Sequence, residues 1–368
     1  MDDAKLEKLL DAFDERSWEV NRKYLIKAAK HLKEIGALPP SDVHRLREMR
    51  RMNTSMREIT TEMAQALDTD TNDVSAVLAE VVKENDWAAR ELTAYGGEKI
   101  PILENAQLLR ILTATDRVLQ GSLTNMSHTT IDSSAYRRAI DRSIHAVTTG
   151  VADYESVIRE NVRELSKEGL RVQYPSGLTR RLDTAVRQNV LDGMRYVNQE
   201  SMRTLGEEYG ADGVEIDAHW MCAEDHLPYQ GRQYTIEEFE RIQGSLERPF
   251  GQWNCRHNIH YIKLGASRNA YTASELREME DRSTEEITID GVTKTRYQWS
   301  QTMRRLETET RYVNDEAEAL KAIGDKKGVR EARRRGEELV DAYDKVSRAA
   351  DIEPQYHRMF TQRLNSRQ

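Results

Sequence analysis

Along residues 3–35 the apolar positions Leu6, Leu9, Leu10, Phe13, Leu25, Ala28, Leu32 and Ile35 recur mostly every three or four residues. That is the spacing of one face of an α-helix. The stripe thins at Glu15–Ser17, which predicts a break there. Gly36 and the following "ALPPSD" predict a stop and a restart: a glycine terminus, prolines without an amide donor, then Ser41 or Asp42 as an N-cap. The next stripe runs through Leu46, Met49, Met52, Met56, Ile59, Met63 and Leu67, and "DTDTNDVS" predicts a cap for a further helix reaching Tyr95. A methionine stripe can be an adaptable partner surface, but ordinary core packing is the simpler reading. Helices over about 102–121, 133–149 and 152–168 make the first 170 residues almost wholly helical.

Beyond residue 170 the period changes. "VQYPSG" predicts a short extended segment, followed by a helix over about 178–209 that Gly210 closes. From Val214 to Tyr261 helical periodicity is lost, and "VEIDAHW", "RQYT" and "HNIHYIK" are strand candidates between Gly, Pro and polar turns. "EITIDGVTKTRY" predicts a hairpin turning at Asp290–Gly291. Two helices, near 296–322 and 327–350, end the pattern. The expected fold is α+β and mainly α. A helical assembly arm occupies 1–170, a small mixed module with short antiparallel strands 171–295, and a C-terminal helical hairpin 296–368.

Composition narrows the functional classes. Charged residues are 32% of the chain and the hydrophobic set only 38%, lean for a self-sufficient globule. Because the charge alternates with apolar residues at helical spacing, long and thinly cored helices explain it better than disorder. A formal net charge of −8 argues against a free nucleic-acid binder. Two local basic runs remain: Arg45, Arg47, Arg50, Arg51 and Arg57, and Arg330 with Arg333, Arg334 and Arg335. Such runs can touch DNA phosphates without reading sequence, although a solvated helix face is the simpler reading. "MDDAKLEKLL" has no signal-peptide character and no apolar run approaches a membrane span, so a soluble protein made in a reducing cytoplasm is expected. In that compartment a Cys222–Cys255 disulfide is not expected.

Chemistry concentrates in two stretches. "HWMCAEDHLPYQGRQYT" (219–235) and "FGQWNCRHNIHY" (250–261) hold both cysteines and four of the nine histidines. Three readings compete. Cys222, His226, Cys255 and His257 are a soft and imidazole set that suits zinc, though their spacing matches no standard finger. His, Asn and His near short strands, with Asp225, suit a metal-dependent nuclease or other hydrolase using the cluster at 219–260. A Cys–His nucleophile pair is weaker, since nothing nearby marks an activated thiolate. The third reading is a packing knot, with Trp220, Tyr229, Tyr234, Phe250, Trp253 and Tyr261 as bulk. Pro228, Gly231 and Gly251 would make its turns, and Arg232 and Arg256 would donate to buried carbonyls or to Asp225. The knot is the preferred reading, with no cofactor; zinc is the alternative the cluster allows.

Taken together, "DAHWMCAEDHLPYQGRQYT" and "GQWNCRHNIHYIKLG" resemble the paired motifs of the tailed-phage minor capsid protein family, related to the Mu-F-like head morphogenesis proteins. The likeness includes "YPSGLTRRLDTAVRQNVLDGM" upstream, and "GVTKTRYQWSQTMRRLETETRYVNDEAEAL" and "AYDKVSRAADIEPQYHRM" downstream, so it covers most of 170–360. His219, His226, Gln230, Gly231, Asn254, Cys255, Arg256 and His257 match the family's characteristic residues, with Asp225 and Trp253 inside the same stretches. Cys222 departs from the pattern, which weakens a tetrad built on it. The resemblance implies a non-enzymatic virion protein of the head, in the capsid interior or at the portal vertex, assembled in the host cytoplasm. Its implied partners are the portal protein, the major capsid protein and other copies of itself, with packaged DNA as a non-specific contact and no membrane. Its implied work is head assembly and genome packaging or delivery.

Overall fold

The structure, a computed structural model, describes residues 3–35, 42–85, 104–128, 133–149, 153–174, 176–252 and 255–359. Five helices come first: α1 (Asp3–Ile35), α2 (Asp42–Lys83), α3 (Ala106–His128), α4 (Ser134–Thr149) and α5 (Tyr154–Glu168). A hairpin of β1 (Arg171–Gln173) and β2 (Thr179–Arg181) leads into α6 (Leu182–Glu208). Then follow β3 (Gly213–Ile216), β4 (Gln233–Thr235), α7 (Ile236–Ser245), β5 (Ile259–Ile262) and α8 (Ala273–Thr284). A second hairpin, β6 (Glu286–Ile289) and β7 (Val292–Thr295), precedes α9 (Arg296–Ala322) and α10 (Lys326–Ala350). The protein is mainly α with short antiparallel strands.

Several boundaries differ from those the pattern predicts. α1 runs through Glu15–Ser17 without a break. Ser17 is buried but donates its hydroxyl to the Asp14 carbonyl at 3.1 Å, so its polar demand is met inside the helix. α2 likewise continues through "DTDTNDVS". Asp, Thr and Asn are only mediocre helix formers, not breakers, and Leu67, Val74, Leu78 and Val81 keep one buried stripe in register across the segment. Met52, Met56, Ile59 and Met63 are buried too, as core packing requires. α3 passes Gly121, where an added Cβ would meet nothing within 4 Å, and ends seven residues later than expected. Residues 178–181, expected as helix, include β2 instead. The Ser41 cap and the helix end at Tyr95 lie outside the described residues.

Two helices are additional to the pattern: α7 falls where strands and turns were expected, and α8 in a stretch to which the pattern assigned no element. Each opens on a capping box: Thr235 accepts from the Glu238 amide while Glu238 reaches back to the Thr235 amide, and Thr272 and Glu275 repeat the exchange. At the β6–β7 turn Asp290 and Gly291 have φ of +51° and +77°, the pair of left-handed residues a type I′ turn requires.

The chain forms two compact units, each assembled from three separated stretches. One comprises Met1–Asp11, Asp70–Leu123 and Gln188–Ser300; the other comprises Ala12–Thr69, Thr124–Arg187 and Gln301–Gln368. The linear division at residues 170 and 295 marks changes of element type, whereas these units group the chain by contact.

The second unit is helical apart from the β1–β2 hairpin. Phe13, Tyr24, Leu25 and Leu32 of α1, Met52 and Met63 of α2, and Leu320 and Tyr343 of α9 and α10 are buried in it. Its interior is also polar. Asp315 accepts from the Trp18 indole at 2.7 Å and from Arg22 at 3.1 Å. Arg181 is 7% exposed; it pairs with Asp183, donates to the Ser166 carbonyl at 2.7 Å and lies over the Tyr312 ring. Partners of this kind are what let a lean composition bury charge.

The first unit carries the three-stranded sheet, in the order β4-β3-β5 and antiparallel throughout. Val214 lies opposite Tyr234 on one side and Tyr261 on the other. Val214 and Ile216 pack with Phe239, Phe250, Cys255 and Ile259 to form its core. α6 approaches the sheet at Gly206 and α3 at Gly193. An added Cβ at Gly206 would collide with the Tyr261 ring, and one at Gly193 with Leu119.

Candidate functional site

The site grows from the two ends of β3 and β5. After Ile216 the chain leaves the sheet, makes the turns of 217–232 and returns as β4; the stretch 250–258 arrives from α7 and becomes β5. Asp217 joins the two loops. Its carboxylate accepts the Asn258 amide and side chain, both at 2.8 Å, and its own amide donates to the Asn258 carbonyl at 3.1 Å. The Gly231 amide donates to the Ile216 carbonyl at 2.7 Å, closing the first loop onto its strand. Gly231 has φ of +67°, a backbone conformation that favours glycine, and a Cβ there would have to displace the Leu276 side chain. The second loop turns at Gly251 and is held from α6, where Gln199 donates to the Phe250 carbonyl at 3.3 Å.

Inside these loops the sulfur and imidazole groups converge. His226, Cys255 and His257 are 1%, 5% and 4% exposed, and Cys222 is fully buried. The Cys255 Sγ lies 3.5 Å from His226 Nδ1 and 3.3 Å from His257 Nδ1. On the other edge of the His257 ring, Nε2 faces Gln230 Oε1 at 3.1 Å and Cys222 Sγ at 3.6 Å. His219 stacks on His257, with ring centroids 4.4 Å apart. Phe250 packs against both His226 and His257. Both cysteines are free thiols.

Hydrogen bonds fix which nitrogen carries the proton. The Arg248 carbonyl can only accept, so His226 donates Nε2–H to it at 2.7 Å and its Nδ1 keeps a lone pair. Gln230 Oε1 accepts the His219 amide at 3.2 Å, which orients the Gln230 side chain as an acceptor. His257 therefore donates Nε2–H to Gln230, and its Nδ1 too is a lone pair. Burial holds the rings neutral: it drives His257 down to about 2 and lowers His226 as well. Burial also pushes both thiols up, the opposite direction from the activated thiolate a nucleophile needs.

The other residues singled out by sequence fall around this cluster. Asp225 is exposed and pairs with Arg248 at 2.5 Å, rather than with Arg232, which is exposed, or Arg256, which is half-buried. Sequence gave no signal for Arg248, Asp217 or Gln199, because each acts across a distance that no local motif spans. Trp220, expected among the packed aromatics, stands 42% exposed beneath Arg282. The next residue, Met221, has φ of +61°, an uncommon conformation for a non-glycine residue, just before the buried Cys222. Trp253 and Asn254 lie outside the described residues.

Of the basic runs, Arg47, Arg50 and Arg57 are exposed, while Arg51 is ion-paired with Glu34 and with Glu48. The Arg45 side chain lies outside the described residues. In the other run Arg330 and Arg333 are exposed, and Arg334 and Arg335 pair with Glu338 and Glu316. Among the described residues no helix is long and apolar enough to cross a membrane.

Against known proteins, the model of one family, described as phage minor capsid protein 2, matches residues 20–342. The match takes in both site loops and most of the helical N-terminal half, for which the sequence motifs gave no lead. No curated protein and no solved structure shows a significant match. With nearly the whole chain covered, from α1 into α10, the protein belongs to the phage minor capsid protein 2 family.

Proposed function

We propose that the protein is a head component associated with the portal or the inner capsid, and that it assists assembly and genome packaging or delivery by protein–protein contact, without turnover. Family membership over residues 20–342 carries the virion structural role. Two further features support the finer reading. A chain with 32% charged and 38% hydrophobic residues gains from partners that bind only its folded form. The His/Cys cluster is enclosed, with His226, Cys255 and His257 at most 5% exposed, whereas hydrolysis at a metal needs a coordination position that substrate reaches. That burial favours the structural reading over the metal-dependent hydrolase.

Co-expression of the tagged chain with the phage's portal and major capsid proteins tests this. The chain is expected to co-sediment with portal rings or assembled heads, and DNA incubated with it and divalent metal is expected to stay intact. A chain that remains monomeric and misses both particles would sink the structural reading. Chelator-sensitive cleavage lost in His257→Ala would establish the hydrolase instead.

A further inference from the structure

The cluster contains a proton mismatch. Nδ1 of His226 and Nδ1 of His257 both present lone pairs to the Cys255 sulfur, at 3.5 and 3.3 Å. A thiol has a single hydrogen and can satisfy only one of them. The remaining imidazole lone pair then faces a sulfur lone pair in a site sealed from water, an arrangement with a desolvation cost and no compensating bond. A cation in place of the proton removes the conflict, because all three atoms then donate to it.

Distances and supports agree with this. Zinc bonds of ~2.3 Å to sulfur and ~2.0–2.1 Å to nitrogen, at a tetrahedral angle, put S···N edges near ~3.5 Å. The three groups are among those whose ligand atoms all lie within 4.8 Å of one another. Each imidazole gives its other nitrogen's proton to an amide-type carbonyl, His226 to Arg248 and His257 to Gln230. Such supports are what orient metal-bound histidines.

We propose that His226 Nδ1, Cys255 Sγ and His257 Nδ1 bind one divalent ion of the zinc class. On binding, the Cys255 S–H bond breaks, its proton leaves to solvent and the sulfur–metal bond forms; nothing is oxidised or reduced. The ion would tie the 217–232 loop to the 250–258 loop by bonds as well as by packing.

A second trio, His219, Cys222 and His257, also has ligand atoms within 4.8 Å of one another. It would use the other edge of the His257 ring, where Nε2 points at the Gln230 oxygen. That oxygen is an acceptor fixed by the His219 amide, so Nε2 must carry the proton and cannot bind metal. Cys222 also lies on this edge and has its own acceptor, the Ala223 carbonyl at 3.3 Å. The ligand set therefore contains one thiolate and excludes Cys222.

The test uses the full chain, purified without chelator, then stripped and reloaded with zinc or cobalt(II). About one ion per chain is expected, and the cobalt form should show a thiolate charge-transfer band with the intensity of one sulfur. Cys255→Ser should lose the ion, Cys222→Ser should keep it, and Gln230→Ala should bind roughly 10–100-fold more weakly. Failure of the stripped wild-type chain to take up either metal overturns the proposal. So does a two-thiolate cobalt spectrum, or loss of metal in Cys222→Ser. The wild-type spectrum decides the matter even if Cys255→Ser does not fold.

Discussion

Gly251 shows how a single position governs the site. Its φ of +77° is unfavourable for any residue with a side chain, and a Cβ there would strike the Gln199 amide that holds the Phe250 carbonyl. Gly251→Ala is expected to cost about 1–3 kcal/mol from backbone strain, with the lost Gln199 bond adding to it. The control is Gly244→Ala in α7, where an added Cβ meets nothing within 4 Å and helix propensity predicts a gain of about 0.5–1 kcal/mol. Urea denaturation of the two variants beside the wild type checks both signs; equal stabilities would refute the argument. The residues that converge were legible in sequence because Cys and His are scarce and fall in two short stretches. Their orientation was not. It depends on a backbone carbonyl at Arg248, an amide oxygen at Gln230 and a side chain from α6, and nothing in a linear pattern encodes those pairings.

Among the elements, the long amphipathic helices were readable from periodicity, and the Asp290–Gly291 turn from its dipeptide. Errors arose where polar residues interrupted a stripe. Ser17 and the segment 68–75 look like stops, yet their helices continue because the apolar face resumes in register. The opposite error hid α7 and α8. Few apolar residues mark them, but Thr235-x-x-Glu238 and Thr272-x-x-Glu275 announce both starts. If the box at α7 matters, Thr235→Ala should lower stability by about 0.5–2 kcal/mol. The loss should fall on the 233–250 segment, seen as faster amide exchange there than in α10. Unchanged exchange in that segment would mean that Phe239 packing alone holds the helix.

For the whole molecule, acid sensitivity follows from the half-buried imidazole His260 on β5, whose pKa is lowered from 6.5 to about 4 by desolvation. Between those values the unfolded chain binds a proton that the folded chain refuses, so stability must fall as pH drops from about 6.5 toward 4. Denaturation midpoints at pH 7.5 and 5 should differ more for the wild type than for His260→Gln; parallel shifts would discount this residue. The grouping of the chain into two units was not legible at all. Each unit draws on three stretches far apart in sequence. The central place of β3 has a consequence in time. During synthesis it can pair at once with β4, but its other partner is complete only at residue 262. Until then the nascent chain has made His226 and Cys222 without Phe250, Cys255 or His257 to cover them, so the Cys222 thiol meets the cell's oxidants before the knot can shut.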